Sequence, residues 1–412
     1  ANGEPVVMIG DGVNIKPTGA NHKIVIDGKP EMYPVYSIKL EFLRYNVQND
    51  RIASWISRYK AEHGEGAFNE LDVAACNDII EGFIVDSNKD AIEKTQLSIA
   101  LRSQERPGVV LADGLIVDGN RRFTCLRRLA AKNPSFGWFE AVILPESLGN
   151  DSKKIKMLEL SIQHGEEEKV GYDPIDRLVG IYNDIISSNL LSKEEYAQCI
   201  GVEPKELEKE IIKARYMNEF LEFANAKDQF HLARELKVAG VINELQGVLK
   251  KCKSDDQEED VKNIVFANMI TEPQGDIVRF VRKIKPILEG PDADRFIERE
   301  NELAFEVAER LKNKEIVTST DIAEIRDDAQ LSTAFREVME SAENTTKMTK
   351  ALKSPSLSII RAIKDLDQVE ESTFGLLPAD EIANIAAEVA KLEARVHMIK
   401  DKISYRMGGE EA

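Results

Sequence analysis

A glycine turn followed by a basic run is the part of this sequence best suited to binding chemistry. The segment VVLADGLIVDGNRRFTCLRRLAAK places Gly119 and Asn120 directly before a cluster of positive charge. Five basic residues and no acidic residue follow Gly119 up to position 132: Arg121, Arg122, Arg127, Arg128 and Lys132. Guanidinium groups bind phosphate through paired hydrogen bonds. The residue types therefore predict a phosphate site.

A strand, a turn and a helix must position this cluster. Asp113-Gly114 between two apolar runs predicts a hairpin, and a helix is expected from about Arg121 to Ala131. The N–H groups at a helix start attract anions, whereas arginines in the first turn oppose the helix dipole. This unfavourable placement suggests that the two arginines have another use, as a clamp for phosphate. The alternative is a solvated basic helix that pairs with the chain's many acids.

The amino-acid composition is typical of a soluble protein. The 412 residues carry a formal net charge of −18, with 42% hydrophobic and 31% charged residues, and this length predicts two or three domains. No apolar run approaches a membrane span of about 18 residues. The four cysteines form no CxxC pair, so a cytoplasmic protein without disulfides or zinc is expected. The acidic total disfavours non-specific binding of polyanions but permits a local basic site.

Strand patterns occur only in the first third of the chain. Residues 1–45 are predicted to form strands broken at Asp27-Gly28 and Pro34, and GWFEAVILP is predicted to be a further strand. After Ser152 all patterns are helical, and the acidic run 254–262 is expected to be a linker or an exposed loop between helical halves. The expected fold class is α+β: a mixed α/β domain over 1–150, a helical domain over 151–253 and a C-terminal helical domain over 254–412.

The glycine-arginine segment resembles the ParB N-terminal fold, which is shared with sulfiredoxin. In that family, the turn and the paired arginines cradle nucleotide phosphates. The segment 35–52, VYSIKLEFLRYNVQNDRI, is similar to the family's opening strand and arginine-bearing loop. The resemblance implies phosphate or nucleotide contacts from seven residues: Gly119, Asn120, Arg121, Arg122, Arg44, Arg51 and Lys169.

Residues 158–185 resemble the family's third motif, most clearly in DPIDRL. ParB proteins usually carry there a Glu-Asn pair and a later arginine, which hold magnesium and triphosphate. Aligned on Pro174, these positions fall near Gly165-Glu166 and Lys169, so the Glu-Asn pair is missing. Its substitutes, and thus the weak catalytic candidates, are Gln163, His164 and Glu166. Glu166 is also the candidate ligand for Mg2+.

Residues 190–221 resemble the helix-turn-helix that follows in ParB proteins. Ile200-Gly201-Val202 suits the turn, and the candidate DNA-binding residues are Lys205, Lys209 and Lys213. The same helix carries Glu203, Glu206, Glu208 and Glu210. A helix that enters a DNA groove usually brings net positive charge, so any DNA binding through this helix is expected to be weak.

The C-terminal helical pattern contains a regular apolar seam over residues 380–404. Its members alternate in steps of three and four: Ile382, Ile385, Val389, Leu392, Val396, Ile399 and Ile403. This spacing is typical of a coiled coil, whose partner is either another chain or the preceding helix around STAFREVMESAENTTKMTKALKSPSLSIIRAIKDL. A long helix inside a bundle is the alternative to a coiled coil. A homodimer through the C-terminal helices is therefore the expected assembly.

The resemblance implies a ParB-like, DNA-associated protein that binds a nucleoside triphosphate, CTP or ATP, with or without Mg2+, and responds by switching conformation or assembly. Two alternatives remain. One is an enzyme of the same fold, either a nuclease (or other hydrolase) or a phosphotransferase. The other is an assembly module without catalysis. Similarity of fold alone does not decide among them.

Overall fold

The computed structural model describes residues 14–26, 29–144, 151–165 and 173–408. The chain divides into two compact units, Ala1–Thr346 and Lys347–Ala412. The predicted boundaries near residues 150 and 253 both fall inside the first unit and stay predictions.

A five-stranded sheet forms the N-terminal part of the first unit. Its strands are β1 (Ile15–Ile26), β2 (Lys29–Lys39), β3 (Gly108–Val110), β4 (Ile116–Asp118) and β5 (Trp138–Ile143). Their order is β1-β2-β5-β3-β4, and only the β3–β5 pairing is parallel. The hairpin predicted at Asp113-Gly114 is confirmed, because β3 and β4 pair antiparallel around it.

The predicted break at Pro34 is wrong. Strand β2 runs through Pro34, which lies opposite Asn21 of β1. On its other side β2 pairs with β5 only from Val35 onward. Pro34 therefore lies where β2 has no second neighbour, and its missing N–H leaves no ladder bond unmade.

Four helices pack with this sheet: α1 (Ala53–His63), α2 (Val73–Ser87), α3 (Lys89–Arg102) and α4 (Asn120–Ala130). The helix expected near 121–131 is thus confirmed as α4. Its buried side chains include Phe123 and Leu126, which join a core with Ile80, Ile92 and Phe139. Phe123 and Phe139 meet edge to face with ring centroids 6.0 Å apart.

The rest of the first unit, as far as it is described, is helical. Its elements are α5 (Ser152–Gly165), α6 (Pro174–Ile181), which a π-helical turn Tyr182–Ser187 extends, α7 (Lys193–Ile200), α8 (Pro204–Phe223), α9 (Phe230–Glu235), α10 (Val238–Leu249), α11 (Asp255–Thr271), α12 (Ile277–Leu288), α13 (Ala293–Lys312), α14 (Ser319–Arg326) and α15 (Ala329–Leu366). The predicted α+β class is confirmed.

The acidic run 254–262 is the start of a helix, so the expected linker or exposed loop is wrong. Ser254 caps α11 by accepting a hydrogen bond from the N–H of Gln257 at 3.2 Å. Asp255, Asp256 and Glu258 lie in the first turn, where negative charge stabilises the helix dipole. A run that resembles a solvated loop by composition is thus a favourable helix start.

Helices α7 and α8 meet at Gly201, whose φ of 69° ends the first of them. Ser192 and Glu195 form a capping box at the start of α7. Lys205 and Lys209 are exposed on α8, whereas Lys213 pairs with Glu210 at 2.6 Å. The use of this pair of helices on DNA stays a prediction.

The second unit contains the end of α15, from Lys347, and helix α16 (Ala379–Gly408). The helix expected over 380–404 is confirmed. Much of its seam is uncovered: Val389 is 47% exposed and Val396 is 55% exposed. Coiled-coil pairing of this seam stays a prediction.

Glu300 is an acid buried inside the helical core. Glu300 on α13 is 0% exposed and accepts a hydrogen bond from Asn268 Nδ2 at 2.8 Å. Burial raises the pKa of its carboxyl from 4.5 to about 8, against a smaller lowering by Asn268. Because the unfolded chain ionises this group at lower pH than the folded chain, its contribution to stability is present below about pH 4.5 and is lost as the pH rises towards 8.

We expect Glu300→Gln to reduce the loss of stability between about pH 5 and pH 8 by about 2–4 kcal/mol, because glutamine keeps the bond from Asn268 and cannot ionise. Urea unfolding across this pH range measures the change. Glu302→Gln, at an exposed position of the same helix, is the matched control. Identical pH profiles for the two variants would contradict the assignment.

Candidate functional site

A cavity of about 410 Å³ lies beside the start of α4, within the size range of small-molecule sites. Its wall contains the Gly119–Arg122 turn, residues of α3, Arg51 and Gln163, and also residues from α6 and α9. Six basic side chains line it against four acidic ones, so the wall is positive in a strongly acidic chain: Arg51, Lys94, Arg106, Arg121, Arg122 and Arg234 against Glu105, Asp118, Asp173 and Asp176.

The turn at Gly119 requires glycine for two reasons. Its φ of 102° is a conformation that other residues rarely adopt. A Cβ atom there would also lie 2.8 Å from Phe139 Cζ. No side chain caps α4, and its first turn holds no acid. The start of this helix is consequently suited to an anionic ligand in the cavity.

Arg122, Arg127 and Arg128 form hydrogen bonds or ion pairs with other parts of the protein. Arg122 donates to Asp118 Oδ2 at 2.6 Å and to the carbonyl of Arg106 at 3.2 Å. Arg127 pairs with Asp78 at 2.5 Å and with Glu81 at 3.2 Å. Arg128 donates to Gln96 at 3.2 Å. Pairing with acids therefore holds for Arg127 and also for Arg122. Arg121 and Arg122 line the cavity.

The structure brings most, but not all, of the predicted contact residues together. Gly119, Asn120, Arg51 and Gln163 line the same cavity as the two arginines. Within the described chain, Asn120 Oδ1 and Gln163 Oε1 are buried acceptors without a hydrogen-bond partner. Arg44 lines no part of this cavity and pairs instead with Asp113 at the β3–β4 hairpin. Glu166, Lys169 and the side chain of His164 lie outside what the structure describes.

A polar cluster closes the side of the cavity formed by the helical region. Arg234 of α9 lies 3.1 Å from Asp173 and 3.7 Å from Asp176, and it donates to Ser54 Oγ at 3.0 Å. Asp176 is 1% exposed and accepts from the N–H of Ser54 at 3.0 Å. Burial raises its pKa from 3.8 to about 7, and the hydrogen bonds from Ser54 and the charge of Arg234 lower it. The cluster joins α1, α6 and α9 at the cavity wall.

The sequence motifs missed several of these residues. Asp173 and Asp176 lie inside the DPIDRL motif, which could have suggested their roles. Lys94 and Arg106 belong to none of the recognised segments. Arg234 is separated from the arginine turn by more than a hundred residues, and no sequence spacing relates them.

A second cavity of about 710 Å³ shares Asn49 with the first. Its wall holds the buried ammonium of Lys156, which lies 2.5 Å from Asp50, 3.4 Å from Asp184 and 3.8 Å from Glu159. Burial raises the pKa of both Glu159 and Asp184, and the charge of Lys156 opposes the rise. This cluster ties α5 to the turn before α1 and to the π-helical turn.

No group of three or more His, Cys, Asp or Glu side chains among the described residues could hold a metal ion. Likewise, none of the described helices is both long and apolar enough to cross a membrane.

We expect Arg234→Ala to lower the free energy of unfolding by about 2 kcal/mol, because it leaves the buried Asp176 carboxyl without its cation. Chemical denaturation at neutral pH measures the loss. Arg58→Ala is the control: Arg58 pairs with Glu235 at a more exposed position, where removal should cost less than about 1 kcal/mol. Equal losses of unfolding free energy in the two variants would show that the buried cluster around Asp176 stabilises the fold no more than an exposed ion pair does.

Comparison with known proteins returns ParB structures. No family model and no curated protein matches the chain. The C-terminally truncated chromosome-partitioning protein ParB from Caulobacter crescentus, complexed with CTP-γ-S, is similar at 12% identity and a TM-score of 0.20, over 49% of this chain and 97% of that one. A Pnob8-like ParB-N domain is similar at 14% identity and a TM-score of 0.25, over 75% of this chain and 97% of that one. Likenesses at these scores transfer no residue role.

Proposed function

We propose that this protein is a ParB-like nucleotide-binding protein, with a nucleoside triphosphate bound in the cavity at the Gly119–Arg122 turn. The observation that carries the proposal is the convergence of an uncapped helix start with basic side chains from separate parts of the chain. Phosphate groups match both features, since N–H groups and guanidinium groups are their usual protein donors.

The triphosphate lies against the start of α4, with Arg121 and Arg51 as its charged contacts. Arg122 also positions the turn, because its hydrogen bonds to Asp118 and to the Arg106 carbonyl fix the shape of the backbone there. The base and sugar occupy the remaining volume, where the acceptors Asn120 Oδ1 and Gln163 Oε1 lack partners within the described chain. Mg2+ accompanies the phosphates as a counter-ion.

Nucleotide binding switches the protein through the cluster around Arg234. The cavity wall includes α6 and α9 as well as the arginine turn, so a ligand touches both the sheet-containing part and the helical part. A phosphate competes with Asp173 and Asp176 for Arg234. Such a differential contact is what a ligand needs to shift a conformational equilibrium.

Assembly and DNA association complete the proposal. The chain forms a homodimer through the uncovered seam of α16, and it associates with DNA weakly and in a salt-dependent manner. The net charge of −18 and the glutamates of α8 oppose tight binding to phosphate backbones.

We expect calorimetry to detect binding of CTP or ATP, with and without Mg2+, and Arg121→Ala to weaken it about ten- to hundredfold, the effect of losing a charged hydrogen bond. CTP is the first probe because the Caulobacter protein was crystallised with its analogue. Analysis of the recovered nucleotide tests the enzyme alternatives at the same time.

Arg128→Ala is the matched control for this measurement, since Arg128 lies on the same helix but does not line the cavity. Its affinity should equal that of the wild type. Absence of nucleotide binding by the wild type, or equal affinity of Arg121→Ala, would overturn the proposed site.

We expect Leu392→Asp together with Val396→Asp to give a folded monomer, because two charges in an interchain seam remove roughly 1.5–3 kcal/mol of burial each. Light scattering gives the mass, and circular dichroism reports the helix content. Glu393→Gln, on the same helix outside the seam, should leave the mass unchanged. Unfolding or aggregation of the double variant would place the seam inside the chain, and a monomeric wild type would end the dimer proposal.

A further inference from the structure

The second cavity, of about 710 Å³, has an excess of negative charge that the proposed function does not use. Six carboxylates and two ammonium groups line it: Asp50, Glu65, Asp113, Glu159, Asp184 and Asp228 against Lys60 and Lys156. The wall of the first cavity has the opposite balance of charge. A phosphate ligand suits the first cavity, whereas the second cavity attracts cations.

Only part of this negative charge is matched by neighbouring basic side chains. Glu65 pairs with Lys60 at 3.1 Å, and Asp113 pairs with Arg44. Asp228 is exposed and forms no ion pair with any residue of the described chain. Its charge is therefore available to a ligand at the mouth of the cavity.

The other three carboxylates share one ammonium group. The side chains of Asp50, Glu159 and Asp184 are 6%, 4% and 8% exposed, and all three lie around Lys156. Burial raises the pKa of Glu159 and of Asp184, against the charge of Lys156. Buried charge without an equal counter-charge is costly. The cluster consequently holds more negative charge than Lys156 can neutralise.

Asp184 carries an oxygen atom that lacks a hydrogen-bond donor. Its Oδ2 atom is buried and accepts no hydrogen bond from the described residues, although Lys156 Nζ lies 3.4 Å away. Asp184 belongs to the π-helical turn Tyr182–Ser187, and π-helical turns often occur at functional sites. A carboxylate in this state suits a second ammonium group, which brings three hydrogen-bond donors.

The rest of the wall suits an alkyl chain. Ile56, Leu111, Val179 and Phe230 contribute apolar surface to the cavity, against which methylene groups can pack while charged ends reach the acids. A bare metal ion fits less well, because no group of three or more His, Cys, Asp or Glu side chains in the described chain could hold one.

We propose that the second cavity binds a small aliphatic polyamine, with one ammonium group beside Asp184 and another beside Asp228. The methylene spacer lies along the apolar wall. The proposal does not rest on nucleotide binding, and the experiment below contains no nucleotide. Its failure is therefore distinguishable from failure of the proposed function.

Calorimetric titration of the full chain with putrescine, spermidine and n-butylamine, at about 150 mM salt to suppress diffuse attraction, tests the proposal. We expect one site per chain. Asp184→Asn should weaken the binding of putrescine and spermidine about ten- to hundredfold, the effect of losing a charged hydrogen bond.

Asp228→Asn tests the second ammonium contact. n-Butylamine has a single ammonium group and should bind the wild type about fivefold more weakly than putrescine, since an exposed ion pair contributes less than a buried one. Asp228→Asn should abolish this difference. Because Asp228 is exposed, this variant keeps the proposal testable if Asp184→Asn does not fold, which circular dichroism reports.

The matched control is Asp367→Asn, which removes an exposed carboxylate just after α15 and changes the net charge equally. Its affinity for putrescine should equal that of the wild type. The proposal is overturned if the wild type binds neither polyamine, or if Asp228→Asn still prefers putrescine to n-butylamine. An equal loss of affinity in Asp367→Asn and Asp184→Asn would also overturn it, since that result describes attraction to the acidic chain as a whole.

Discussion

The close approach of strand and helix at Gly119 is the constraint on which the candidate site depends. Phe139 packs against this glycine so tightly that a Cβ atom would not fit. The left-handed backbone lets α4 start directly from β4. Arg122 then folds back onto Asp118 at the end of that strand. The geometry of the turn is therefore fixed by packing and by an ion pair.

Buried ionisable groups recur where helices meet. Asp176 is matched by Arg234, and Lys156 by three carboxylates. Glu300, by contrast, accepts a hydrogen bond from the amide of Asn268. Burial raises the pKa of Asp176 and Glu300, because a charge loses its hydration in the interior. Breaking a buried pair costs more than the pair contributes to stability. Such groups therefore favour one specific arrangement of the helices and add little to the net stability of the fold.

Apolar surface is distributed differently in the two units. The first unit buries its apolar side chains in large clusters, while Leu352, Val389 and Val396 of the second unit remain substantially exposed. Apolar side chains that stay exposed on a helix contribute no hydrophobic stabilisation until another surface covers them. This surface is what a partner helix would cover.

Local sequence determined the elements of this protein. Asp113-Gly114 specified its hairpin, Gly119 its turn, and the apolar spacing of Phe123 and Leu126 specified α4, because each depends on neighbours within a few residues. Composition predicts a break at Pro34, which is wrong because Pro34 lies where β2 has no second neighbour. Composition also fails at Ser254, because acidic residues in a first turn stabilise a helix. Only the tertiary structure decided that Arg44 pairs with Asp113, away from the cavity, and that Arg234 reaches Asp176. The partners of a long charged side chain are set by which elements pack together, and that packing depends on the whole core rather than on residues nearby in the chain.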